Sequence, residues 1–231
     1  MNKVLKNLLT WLVLPAIIVL LVYVIVSSIM EPVNFNKEKA RREVVAIQRL
    51  KDIRDLQVAY KSVTGRFVST VDSLCDFYKK GEMKVVMQVG SKDDSLAMAH
   101  TEAVKKANRK ITPADLYKMY LAGDKNLVFA VESKIAVKDT LFHNRTDFVV
   151  DSLKYIPFSG QQPVEMEATV RKVSGVDVPL FEARMPYRAF LDDVNKQLRI
   201  NLDAERETQG HFKGLQVGSV TAPNNNAGNW E

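Results

Sequence analysis

Cysteine is nearly absent from this chain: Cys75 stands alone among 231 residues. One cysteine excludes an internal disulfide framework and any multi-cysteine metal site. Cys75 also has Asp72 and Asp76 beside it, which disfavour a thiolate, so it reads as structural. Histidine is scarce too. His100, His143 and His211 lie far apart, without the short spacings that bring metal ligands together. Asp93-Asp94 runs into Ser95-Leu96-Ala97, which lacks the oxygen ligands and the glycine turn of a calcium loop. Glycine-rich phosphate loops are missing altogether. Glu165 and Glu167 alternate on one strand and share a face, as the carboxylates of a hydrolase would. Solvent-facing strands carry such pairs routinely. The expectation is a protein with no catalytic constellation, no metal site and no cofactor, which is not an enzyme.

What the chain does have is one long apolar run, Leu8 to Met30, preceded by Lys3 and Lys6. As a helix it measures roughly 34 Å, enough to cross a hydrocarbon core of about 30 Å. No later segment approaches a second span. A cleavable signal peptide has a shorter apolar core ending in a small-x-small site. Here only Ser27 and Ser28 are small near the end, so the segment reads as a retained single-pass anchor in lipid. Pro15 lies inside it, and Trp11 and Tyr23 sit near its ends, where amphipathic rings favour the interface. Lys37, Lys39, Arg41, Arg42 and Arg49 outnumber Lys3 and Lys6, and the positive-inside rule then places the large domain in the cytoplasm. The net charge of +6 is modest. Its densest cluster, Lys105, Lys106, Arg109 and Lys110, has no interleaved aromatic and reads as a solvated helix end, with no nucleic-acid partner.

Four regions follow: 1–30 as short tip and membrane anchor, 31–65 as helical stalk, 66–221 as an α+β head, and 222–231 as an Asn-rich surface tail. Pro32 is expected to end or bend the membrane helix. From Asn36 to Thr64 no Gly or Pro interrupts a helical reading, and Gly65 supplies the cap. This stalk carries two apolar faces. Ala40, Val44 and Ile47 share one side near the membrane. Leu50, Ile53, Leu56, Tyr60 and Val63 share another, roughly opposite, farther out. A helix packed on one core keeps one stripe. The distal face is therefore expected to dock on the head, and Ala40, Val44 and Ile47 either to meet a partner (another envelope protein or a second copy) or to belong to a stalk that merely spaces the head from the bilayer.

In the head, short helices are expected over 71–78, 93–107 and 113–122. The strands expected are 83–89, 127–132, 134–140, 164–173 and 178–184. Ser174 to Asp177 reads as a hairpin connection. Tyr187, Phe190, Leu191, Val194 and Leu198 are spaced for one late amphipathic helix. Helices first and antiparallel strands later make the fold α+β, with a small antiparallel-sheet head. Trp230, near the end of the tail, is either a docking aromatic or a cover for an apolar patch of its own head.

The stretch from Leu50 to Leu74 carries Ala59, Tyr60, Gly65 and Phe67 at a helix exit. It resembles the exit of the long helix in type IV pilins and type II secretion pseudopilins. That family's Gly-before-apolar processing site with a nearby Glu has no counterpart here, and Val68 stands where proline is common. The resemblance implies a membrane-anchored helix continuing into a head with antiparallel strands, placed in the periplasm and assembling through protein contacts. The basic count points the opposite way, although long domains translocate largely regardless of charge. Residues 137–142, 151–159, 214–219 and 228–231 resemble segments of membrane-anchored proteins of gram-negative bacteria, and this resemblance implies no activity.

Overall fold

A π-helical turn, Leu9–Val13, leads into α1, Leu14–Thr64, a single helix of 51 residues. The computed structural model describes residues 9–231, with side chains from Trp11 onward, and the flanking Lys3 and Lys6 lie outside the described residues. After α1 come α2 (Val71–Lys80), β1 (Glu82–Val89), α3 (Ser95–Ala107), α4 (Pro113–Leu121), β2 (Phe129–Ala136) and α5 (Val137–Thr140). Then follow β3 (Glu165–Val173), β4 (Val176–Pro186), α6 (Tyr187–Phe190), α7 (Lys196–Thr208) and β5 (Gly214–Gly218). The fold is α+β, with two small antiparallel sheets.

Pro32 does not end the apolar helix; it lies inside α1. An interior proline forfeits the bond to the carbonyl four residues back, at a cost of about 3 kcal/mol. That carbonyl belongs to Ser28, on an exposed turn. Just beyond, Phe35, Arg42 and Ala46 are buried and hold the next turns helical. The apolar segment and the charged stretch after it are one continuous helix.

The chain folds as two units. One joins the described chain up to Asp55 with Ser152–Glu231; the other is Leu56–Asp151. In the first unit β4 is the central strand, flanked by β3 and β5. Its buried run Leu180, Phe181, Glu182 and Ala183 reads as continuous because the strand is covered on both faces. Ser174 (φ 51°) and Gly175 (φ 85°) form the two-residue turn joining β3 to β4, with both residues left-handed as a type I′ turn requires. The late amphipathic segment is two helices. Asn195 accepts the Leu198 amide at 2.8 Å and starts α7 afresh, so the helix breaks between Leu191 and Asn195. The tail is stitched to β5. Asn229 and Gln216 exchange bonds of 2.9 and 3.1 Å, the Asn229 amide donates to the Gly214 carbonyl at 2.9 Å, and Gly218 N–H donates to Ala227 at 3.0 Å. These bonds cover an otherwise open sheet edge.

In the second unit Gly65 caps α1 with φ 79°. Gln57, fully buried, then holds the returning chain on both sides of Val68. Its Nε2 donates to the Val68 carbonyl at 2.6 Å and its Oε1 accepts the Val68 amide at 3.1 Å. Phe67 is buried as the chain folds back, and Cys75 Sγ donates to the buried Val150 carbonyl at 3.4 Å. Thr112 and Asp115 form a capping box at the start of α4. The strands expected over 127–132 and 134–140 are one strand and a helical turn. β2 pairs with β1 along its whole length, from Glu82↔Ala136 to Val89↔Phe129, so the ladder runs unbroken through Ser133. Val89, Leu116, Leu127 and Phe129 form one core cluster of this unit.

Candidate interaction surface

Successive residues of a helix turn by 100°, so Ala46 and Val44 face about 200° apart. The Ala46 side is closed: Phe35, Arg42, Ala46, Leu50 and Ile53 are all buried. The Val44 side is open: Val33 is 52 % exposed and Val44 69 % exposed. Ala40 is exposed and Ile47 half-buried. Docking on the chain's own residues is thus not confined to the distal half of α1. It reaches down to Glu31, on the face opposite Ala40, Val44 and Ile47.

Arg42 is the hub of that docking. Its guanidinium donates to the Phe190 carbonyl at 2.8 Å, grips both Asp193 oxygens, one of them at 2.8 Å, and donates to Glu38 at 2.6 Å. The Phe158 ring lies 5.1 Å from its centre. Farther out, Tyr187 donates to Glu43 at 2.8 Å and Arg54 meets Glu231 at 2.7 Å. Asn195 donates to Glu31 at the end nearer the apolar segment. Glu31 to Arg54 is 23 residues, so residues 152–231 follow α1 for roughly 35 Å. The spacing of Glu38 and Arg42 reads in sequence as an ordinary i,i+4 surface pair. Asp193 lies 151 residues away and gives no local signal.

Charge chemistry at this hub is lopsided toward ionisation. Hydrogen bonds from Arg41 and then Arg42 hold the Glu38 carboxyl down at about 2. Arg42 likewise lowers Asp193 below the usual carboxylate range, and Asp193 in turn raises the Arg42 guanidinium further. Carboxyls depressed by folding stabilise the folded form above their ordinary pKa, and that contribution is lost as pH falls through the folded value. The first unit is therefore expected to keep its tertiary packing at pH 5 and to loosen as pH drops from about 4.5 toward 2. Near-ultraviolet circular dichroism of the detergent-solubilised protein reads this. A variant carrying Arg42→Met should lose the part of that acid dependence that Asp193 contributes, while Arg41 still holds Glu38 down.

Trp230 is half-buried against its own chain. Its indole lies over Gly228, where any Cβ would strike the ring, and its Nε1 is buried without an acceptor. The neighbouring Glu231 is bound to Arg54, roughly 10 Å along α1 from Ile47.

A cavity of about 470 Å³ opens in the first unit, lined by Glu165, Arg188, Asp203, Glu207, His211 and Lys213 among others. Glu165 lies 3.7 Å from Arg184 and 3.9 Å from Arg188, and Glu207 is 2.8 Å from Lys213. Asp203 has one buried oxygen without a donor, and burial pushes its carboxyl up. Glu167 is exposed and does not line the cavity, so the Glu165–Glu167 pair does not converge there. Among the described residues no group of three His, Cys, Asp or Glu side chains is placed to hold a metal ion.

No family model, curated protein or solved structure matches this chain. Its architecture is a long apolar helix near the N-terminus, able by length and composition to cross a membrane, followed by small antiparallel sheets. That layout is compatible with a pilin-like arrangement.

Proposed function

We propose that this is a membrane-anchored protein of the bacterial inner membrane that works through protein contacts and has no catalytic activity of its own. Its head lies in the periplasm, and its role is that of a pseudopilin-like component of a secretion or surface-assembly machine. The observation that carries this reading is the division of labour on α1. One face holds the chain's own C-terminal segment, and the opposite face presents Val33, Ala40 and Val44 on a helix continuous with the apolar segment. Water does not favour such a face. The exit at Gly65 and Phe67 agrees with the pilin-like layout.

Gentle detergent extraction followed by pull-down and mass spectrometry is expected to recover the protein with specific envelope partners or with itself. Recovery of the protein alone, as a monomer, would remove the reading. Alkaline phosphatase fused after Glu231 should be active; an inactive fusion indicates a cytoplasm-facing scaffold instead. A second reading, a ligand-binding head, draws on the cavity beside Asp203, whose buried oxygen lacks a donor.

A further inference from the structure

We infer that the open face of α1 pairs in parallel with the same face of a second copy of this chain, as a short two-stranded coiled coil continuing into the membrane segment. The inference rests on the protein-contact reading above and names its partner. On the water side the open face is Val33, Lys37, Ala40, Val44 and Ile47, spaced alternately by four and three residues. This is the a/d rhythm of a heptad, with Lys37 and Val44 at a and Val33, Ala40 and Ile47 at d. The same phase runs back through Met30, Val26 and Tyr23, all exposed in the single chain. The buried face lies about 200° away, so Val33, Lys37, Ala40 and Val44 stay exposed and only Ile47 is half-buried.

Three arguments select a second copy over other occupants. Copies anchored by the same span share one orientation and one height, so each seam meets its own image in register. One lysine at an a position, here Lys37, fixes register and oligomer state at some cost in stability. Its methylene stem covers the seam while the ammonium reaches water. Area gives the third. The water-side residues offer on the order of 400 Å² per chain, short of the roughly 800 Å² per partner of a stable interface. Adding Tyr23, Val26, Met30 and the turns before them brings the seam to about that size. Only a partner that accompanies the helix into the bilayer supplies this area, and another copy does.

The test is single-cysteine cross-linking of the full-length chain in its native membranes, with Cys75→Ala as background. Lys37→Cys, Ala40→Cys and Val44→Cys are expected to give an adduct of twice the monomer mass under mild oxidation. Asn34→Cys and Val45→Cys, on the flanks, should give several-fold less. Equal yields at all five positions would overturn the pairing. Adducts of another mass would overturn the second copy while leaving the protein-contact reading intact. Absence of any adduct, together with a pull-down that recovers no other protein, would remove both. A second readout avoids the Cys75 substitution: energy transfer between donor- and acceptor-tagged copies in vesicles should fall several-fold on Val44→Arg. Transfer unchanged by that substitution would also overturn the pairing.

Discussion

Replacing Arg42 with alanine is expected to lower the stability of the first unit by about 2–3 kcal/mol. With an m-value of about 2 kcal/mol/M, the urea midpoint should fall by about 1 M. Arg42 is 7 % exposed and joins three separate groups: the Phe190 carbonyl, Asp193 and Glu38. Its removal strands the Phe190 carbonyl in a buried position and deletes the guanidinium packed against Phe158. The estimate sits below the 3–5 kcal/mol typical of a broken buried pair, because Asp193 is 67 % exposed and rehydrates once released. Arg42→Lys should recover little. A single ammonium cannot grip both Asp193 oxygens and still reach Phe190 and Glu38, as the planar fork does. Urea unfolding of the detergent-solubilised protein, followed by near-ultraviolet circular dichroism, measures the loss. An Arg42→Ala midpoint within 0.3 M of the parent, on the order of the spread seen for surface changes, would mean that the docking is held elsewhere along α1.

Local signals made much of this fold legible in the sequence. Gly65 and the Thr112-Pro113 start of α4 each act within a few residues, and each is where the pattern placed it; the connection expected over 174–177 is a tighter two-residue turn, Ser174-Gly175, with Val176 and Asp177 already paired in β4. The apolar segment is equally local, because length and composition suffice. What escaped depends on partners distant in sequence. β2 reads as two strands until β1, more than 40 residues earlier, is seen to pair along its whole length. β5 is five residues long and too short to show an alternating pattern. The proximal half of α1 looks unoccupied because Arg42 and Asp193 are 151 residues apart, and a buried arginine is disguised as one more surface charge. Val44 and Ile47 could be assigned a common face from spacing alone. Which face the chain itself covers could not, since Phe35 and Ala46 declare themselves only through burial.

That distinction gives the sharpest contrast on this helix, between two residues only two positions apart. Ala46→Glu is expected to cost about 4 kcal/mol or to undock residues 152–231 from α1 outright, because Ala46 is 0 % exposed and the new carboxylate has no room and no water. Val44→Glu should change stability by no more than about 0.5 kcal/mol, because Val44 is 69 % exposed. Helix propensity accounts for little of the difference, since replacing Ala and replacing Val by Glu differ on that scale by only about 0.5 kcal/mol. Limited proteolysis separates the two outcomes. The Ala46→Glu protein should be cut rapidly in the released C-terminal segment, and the Val44→Glu protein should resist as the parent does. The second variant then becomes the informative one for function, since it places a charge on the open face of a chain that is otherwise folded. If it retains every partner recovered with the parent, the open face is not where this protein makes its contacts. Loss of those partners with folding intact would place the contacts on that face of the helix.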